Sequence, residues 1–100
     1  MPDAIKVLLV ESQPLTRIGI RAVLSTESDI DLCNAADNAA DGFAAFLETK
    51  PEVTILGLRF PDSCTIDDLD NYFIRDPKAK IIVLADHAGD AGLLEAGHAD

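Results

Sequence analysis

Apolar residues come in short bursts along this chain, and their spacing alternates between two periods. Ile5-Lys6-Val7-Leu8-Leu9-Val10, Val53-Thr54-Ile55-Leu56 and Lys80-Ile81-Ile82-Val83-Leu84 are β-rich runs with one polar residue each, the pattern of strands buried on both faces. Ile30-Asp31-Leu32-Cys33-Asn34-Ala35 instead alternates apolar with polar residues, as an edge strand with one solvated face does. Between the strands the periodicity turns helical. Pro14 suits the first turn of a helix, where its missing N–H would find no partner, so a helix is expected from about Leu15 to Ser25, capped by Ser12 or Gln13. Asp37 or Asn38 caps a second, which carries Ala39, Phe43, Phe46 and Leu47 on one side and is ended by Lys50-Pro51. Thr65-Ile66-Asp67-Asp68 resembles a capping box opening a third, with Ile66, Leu69 and Phe73 on one face up to Arg75, before Pro77. A poor helix, interrupted by Gly89 and Gly92, is expected over 88–97. Strict alternation of strand and helix requires right-handed crossovers and a doubly wound parallel α/β sheet.

The first helix is unusually apolar. On a helical wheel Leu15, Ile18, Gly19, Ile20, Ala22, Val23 and Leu24 spread over most of the circumference, leaving Arg17, Arg21 and Ser25 as the polar strip. A helix lying on a sheet needs a narrower stripe, so a second covering partner is expected. Ile18, Ile20 and Leu24 are assigned to that contact, either dimerisation or the docking of a following segment.

Composition narrows the function. One hundred residues build one core, and 8 basic against 18 acidic residues give a net charge of -10, which opposes direct contact with nucleic acid or an anionic membrane. No apolar run approaches the roughly 18 residues of a membrane span, and the N-terminus lacks the order of a signal peptide, so the chain is read as cytoplasmic. Cys33 and Cys64 fit neither a metal nor a redox spacing and are read as reduced thiols. His87 and His98 stand in no ligand spacing, and Asp67, Asp68 and Asp70 read as a solvated helix start.

In an open parallel sheet the carboxyl ends of the strands face the crevice where ligands bind. The first strand ends there with Glu11-Ser12, the third with Gly57, and the fourth with Ala85-Asp86-His87. Gly57 brings neither nucleophile nor ligand. Glu11 reads as a solvated acid or a partner of Arg59, and Ser12 as a helix cap, because no general base for it is identifiable. No glycine-rich phosphate loop follows the first strand, which argues against a flavin or nucleotide.

These residues resemble the receiver domain of bacterial two-component response regulators, most closely the subfamily carrying a LuxR/NarL-type helix-turn-helix. The resemblance rests on Ile5 to Val10, Gln13-Pro14-Leu15-Thr16-Arg17-Ile18-Gly19-Ile20-Arg21-Ala22-Val23-Leu24, Lys50-Pro51-Glu52-Val53, Leu58-Arg59-Phe60-Pro61 and Ala99-Asp100, with no insertion needed between them. It implies a CheY/flavodoxin-like sheet of order 2-1-3-4. It also implies that the chain ends at Asp100 before the family's fifth strand, its lysine and its fifth helix, which normally covers part of the first. The chain is therefore expected to be one receiver domain over 1–100, apparently truncated and without a DNA-binding domain, covered by a missing segment or by another copy.

The resemblance fails at the chemistry. In the family an acidic pair and an aspartate bind Mg²⁺, the aspartate accepts a phosphoryl group, and a hydroxyl residue and a lysine engage it. Here the acidic pair reads Glu11-Ser12, the aspartate position is Gly57 and the hydroxyl position is Ala85. One carboxylate is a weak site for an ion that demands octahedral oxygen ligands, so neither a cofactor nor a catalytic residue is assigned, with Glu11 the weak metal candidate. The expected function is that of a pseudo-receiver: a phosphorylation-independent regulatory module of a transcription regulator, not an enzyme, acting by protein contact and without a histidine kinase. The alternatives are a phosphoacceptor using Asp62 or Asp86, and a small-molecule sensor in the space beside Gly57.

Overall fold

The computed structural model describes residues 4–84. Four strands, β1 (Ile5–Val10), β2 (Ile30–Ala36), β3 (Val53–Gly57) and β4 (Lys80–Leu84), alternate with three helices, α1 (Pro14–Ser25), α2 (Ala39–Thr49) and α3 (Thr65–Arg75). The sheet is parallel throughout, in the order β2-β1-β3-β4. This is the expected doubly wound topology. The helix expected over 88–97, together with Ala85, Asp86, His87 and His98, lies outside the described residues.

Local chemistry explains the boundaries. Gln13 is the N-cap of α1 and Pro14 opens the helix, but no side chain closes a cap bond there. Asn38 does cap α2, its side-chain oxygen accepting from the Asp41 amide at 2.8 Å. Lys50 ends α2 in the left-handed region, at φ 49°, with its N–H donating to the Phe46 carbonyl. Pro51 prevents any continuation.

Right-handed crossovers place α2 and α3 on one face of the sheet and α1 on the other. The α2/α3 face holds the core: Leu8, Val10, Ala36, Ala45, Phe46, Leu56 and Tyr72 are buried together. Phe43, Phe46 and Tyr72 meet there as aromatic pairs with ring centroids 4.7–6.2 Å apart. Gly42 lets α2 approach β1 closely, because a Cβ there would stand 2.5 Å from Val10 Cγ1. On the opposite face Val7 and Leu9 are buried, while Ile82, in register with Ile55, is 52% exposed.

Three expectations are corrected. Thr65 is the first residue of α3 rather than its cap; Cys64 occupies the cap position without a side-chain cap bond, and the Thr65 hydroxyl turns inward. Among the described side chains of α3 the core positions are Thr65, Leu69 and Tyr72, and Phe73 falls on the exposed side. Strand β2 does not alternate evenly: its register with β1 passes from Leu32 to Asn34 and skips Cys33, whose thiol donates to the Val7 carbonyl at 3.3 Å.

Candidate functional site

The carboxyl ends of β1 and β3 lie side by side, with Val10 in register with Leu56. This places Glu11 and Ser12 next to Gly57, as expected. Glu11 is not solvated, however: it is 7% exposed. Its N–H donates to the Ala36 carbonyl at 2.9 Å, and its own carbonyl accepts from Arg17 Nη1 at 2.9 Å. The carboxylate is drawn inward, where Oε2 accepts from the Gln13 amide at 2.8 Å. A Cβ placed on Gly57 would collide with Glu11 Oε1 and lie 3.0 Å from Cδ and 3.3 Å from Oε2. The space beside Gly57 is therefore filled by the end of the Glu11 side chain.

The floor of the crevice is tied from below and from the side. The buried Thr65 hydroxyl donates to the Gly57 carbonyl, and the Thr65 amide donates to the Leu58 carbonyl at 2.9 Å. Arg59 and Cys64 form an antiparallel bridge that folds the intervening loop back on itself. Ser12 Oγ donates to the Arg59 carbonyl at 3.1 Å instead of capping α1, so it joins the β1–α1 turn to that loop.

Asp62, at the loop's tip, has a role that no local sequence signal indicates. Its two carboxylate oxygens accept from the amides of Ala39 and Ala40, at 2.9 and 3.0 Å. With Asn38 on the Asp41 amide and the Asn38 carbonyl accepting from Gly42 at 3.0 Å, the first turn of α2 has its donors satisfied. The Ala39 amide first, then Ala40, holds the Asp62 carboxyl below its ordinary value. Both oxygens of this alternative phosphoacceptor are thus directed at α2. The other, Asp86, lies outside the described residues, as does Ala85.

The donors present do not fit the Mg²⁺ ion that the receiver resemblance implies. Gly57 has no side-chain ligand atom and its carbonyl accepts from Thr65, the Ser12 hydroxyl donates to a carbonyl, and the Glu11 carboxylate faces the glycine. Among the described residues no three His, Cys, Asp or Glu side chains gather in a way that could hold a metal.

The interaction candidates separate into two groups. Arg17, Ile20 and Leu24 are the half-buried residues of α1, a stripe that rests on β1 and β2. Ile18 is on the outer side at 59% exposure, with Leu15 at 87% and Val23 at 66%. A groove lined by Leu15, Gly19, Ile20, Val23 and Leu24 runs along the flank.

Sheet order, crossover pattern and the position of the crevice define a response-regulator receiver fold, and the comparisons with known proteins agree. The fold matches a LuxR-family two-component response regulator from Aurantimonas, with a TM-score of 0.82 and 24% identity over 97% of this chain and 69% of that one. It also matches the signal receiver domain of the response regulator NarL from Mycobacterium tuberculosis, with a TM-score of 0.79 and 19% identity over 89% of this chain and 73% of that one. In sequence the chain is 26% identical over 92 residues to the DNA-binding transcriptional activator DevR/DosR of M. tuberculosis, covering 92% of this chain and 42% of that protein. It is 30% identical over 82 residues to the transcriptional regulatory protein YxjL of Bacillus subtilis, covering 82% of this chain and 38% of that protein. The chain thus spans about two fifths of the length of these curated relatives. No family profile matches it. The similarity to LuxR/NarL-type response regulators, read from stretches along the whole sequence, is present in both sequence and fold. Among the described residues no helix is long and apolar enough to cross a membrane.

Proposed function

We propose that this chain is a pseudo-receiver, a receiver-fold regulatory module that works without aspartyl phosphorylation. In this reading it belongs to a longer LuxR/NarL-like transcription regulator, in which an effector domain makes the DNA contact that a net charge of -10 denies to this module. The single observation that carries the reading is Gly57 at the acceptor position, with the Glu11 carboxylate packed against it. Phosphoryl transfer needs a nucleophilic oxygen in line with the donor and a cation to offset the developing charge. Glycine supplies no such oxygen, and Asp62 is committed to α2. The module therefore needs neither Mg²⁺ nor a histidine kinase and is not an enzyme. It acts through protein contact.

The test is an amide NMR titration with Mg²⁺ and beryllofluoride, a mimic of the aspartyl phosphate, following Glu11, Gly57 and Ala85. Spectra are expected to stay unchanged. Saturable shifts centred on the crevice would overturn the reading in favour of a substitute acidic site, as would acid-labile phosphate on the protein after exposure to a small phosphodonor.

The contact surface is assigned to the outer face of α1. Leu15, Ile18 and Val23 place apolar area in solvent where a helix of a monomeric domain carries polar residues. Ile18→Glu is expected to weaken self-association or effector docking at least tenfold in sedimentation analysis while leaving the fold intact. Unchanged association would remove α1 from the interface.

A further inference from the structure

We propose that the Glu11 side chain is an intramolecular ligand of the crevice: its carboxylate occupies the place of a residue-57 side chain and locks the β1–α1 turn in one state. The proposal deepens the pseudo-receiver reading and rests on it. Three separate contacts fix Glu11, through its N–H to the Ala36 carbonyl, its carbonyl to Arg17 Nη1 and its carboxylate to the Gln13 amide. Gly57 is fixed independently, because its carbonyl accepts from the buried Thr65 hydroxyl. The carboxylate therefore meets a stationary glycine face, and only the absence of a Cβ lets it lie there.

The carboxylate of a residue only 7% exposed loses part of its hydration, and the 2.8 Å bond from Gln13 offsets some of that loss. Gln13 is also the N-cap of α1, so the same bond sets where that helix starts. Any anion entering the crevice would have to displace Glu11 and then approach its negative charge. The crevice is thus closed by the chain itself, and the position of α1, with its exposed apolar face, depends on no external ligand.

A double-mutant cycle tests this with the whole chain. In the wild-type background Gly57→Ala forces the carboxylate out. It is expected to shift the Gln13 amide resonance, raise that amide's hydrogen-exchange rate and lower stability. In the Glu11→Ala background the three atoms nearest to that methyl are gone, so Gly57→Ala should be neutral or stabilising. The two effects on the unfolding equilibrium constant should fail to add by roughly fivefold or more. Additive effects, or a Gln13 amide indifferent to Gly57→Ala, would overturn the proposal. If Glu11→Ala does not fold, Glu11→Gln keeps the shape and an acceptor oxygen, and Gly57→Ala must then still move Gln13; an unmoved Gln13 again refutes it. The beryllofluoride titration reads phosphorylation separately, so failure of the lock and failure of the pseudo-receiver reading give different results.

Discussion

Replacing Gly42 with alanine should destabilise this protein, although the same change in an exposed helix would stabilise it. In an open helix interior alanine is favoured over glycine by about 1 kcal/mol, because glycine loses more backbone freedom on folding. Gly42 faces the carboxyl-terminal residue of β1, Val10, instead. A Cβ would stand 2.5 Å from Val10 Cγ1, 2.9 Å from Cγ2 and 3.2 Å from Cβ, against an ordinary carbon contact of about 3.5–4.0 Å. Val10 cannot yield: it is fully buried, branched at its own Cβ, and paired on both sides, with Ala36 and with Leu56. The helix must therefore retreat by about 1 Å, loosening Ala45 and Phe46, its neighbours in the core. Overpacking of this kind costs about 1–3 kcal/mol, which set against the propensity gain of about 1 kcal/mol leaves a net loss of up to about 2 kcal/mol. Urea unfolding followed by circular dichroism reads this as a lower midpoint at unchanged slope. In a Val10→Ala background, which removes both Cγ atoms and leaves only the residue-10 Cβ at 3.2 Å, the cost of Gly42→Ala should shrink markedly. A raised midpoint for Gly42→Ala alone would refute the close packing of α2 on β1.

Thr65→Val keeps the shape of a buried residue but removes the donor to the Gly57 carbonyl, and should lower stability by about 1–2 kcal/mol in the same urea assay. Asp62 has its carboxyl pKa lowered from 3.8, so its contribution is present above the unfolded-state value and lost as pH falls through the folded one. Asp62→Asn should therefore lower the melting midpoint at pH 7 and make no difference at pH values below the folded-state pKa. Tyr72 is the single tyrosine, and burial, helped by the charge of Asp68, raises its pKa from 10.0 to about 12. Phenolate absorbance should titrate near the higher value in the folded protein and near the ordinary one in urea. The matching stability is complete below pH 10 and lost as pH rises toward 12.

Most of the architecture was legible in the sequence because it depends on local patterns. The apolar runs of β1, β3 and β4, the Pro14 start, the Asn38 cap and the Lys50-Pro51 stop each identify an element within a residue or two of where it lies. The sheet order came from the resemblance. Gly57 was readable as a loss of chemistry, but not as a space filled by Glu11, because the two meet only once β1 and β3 are adjacent. Asp62 was misplaced for the same reason: its partners Ala39 and Ala40 lie 23 and 22 residues away. Phe73 displaced Tyr72 in the sequence reading because hydrophobicity alone favours phenylalanine, whereas Tyr72 is the one whose ring packs against Phe43 and Phe46.

The uncovered flank of the molecule has a consequence for how the protein behaves in bulk. Leu15, Ile18 and Val23 on α1 and Ile82 on β4 give each chain a sticky side, and a net charge of -10 keeps two such sides apart. That repulsion reaches about 30 Å at 0.01 M salt but only about 8 Å at 0.15 M. Colloidal behaviour is therefore set by ionic strength: dilute buffer disperses the chains, and added salt, like carboxylate protonation in mild acid, lets the apolar flanks find one another.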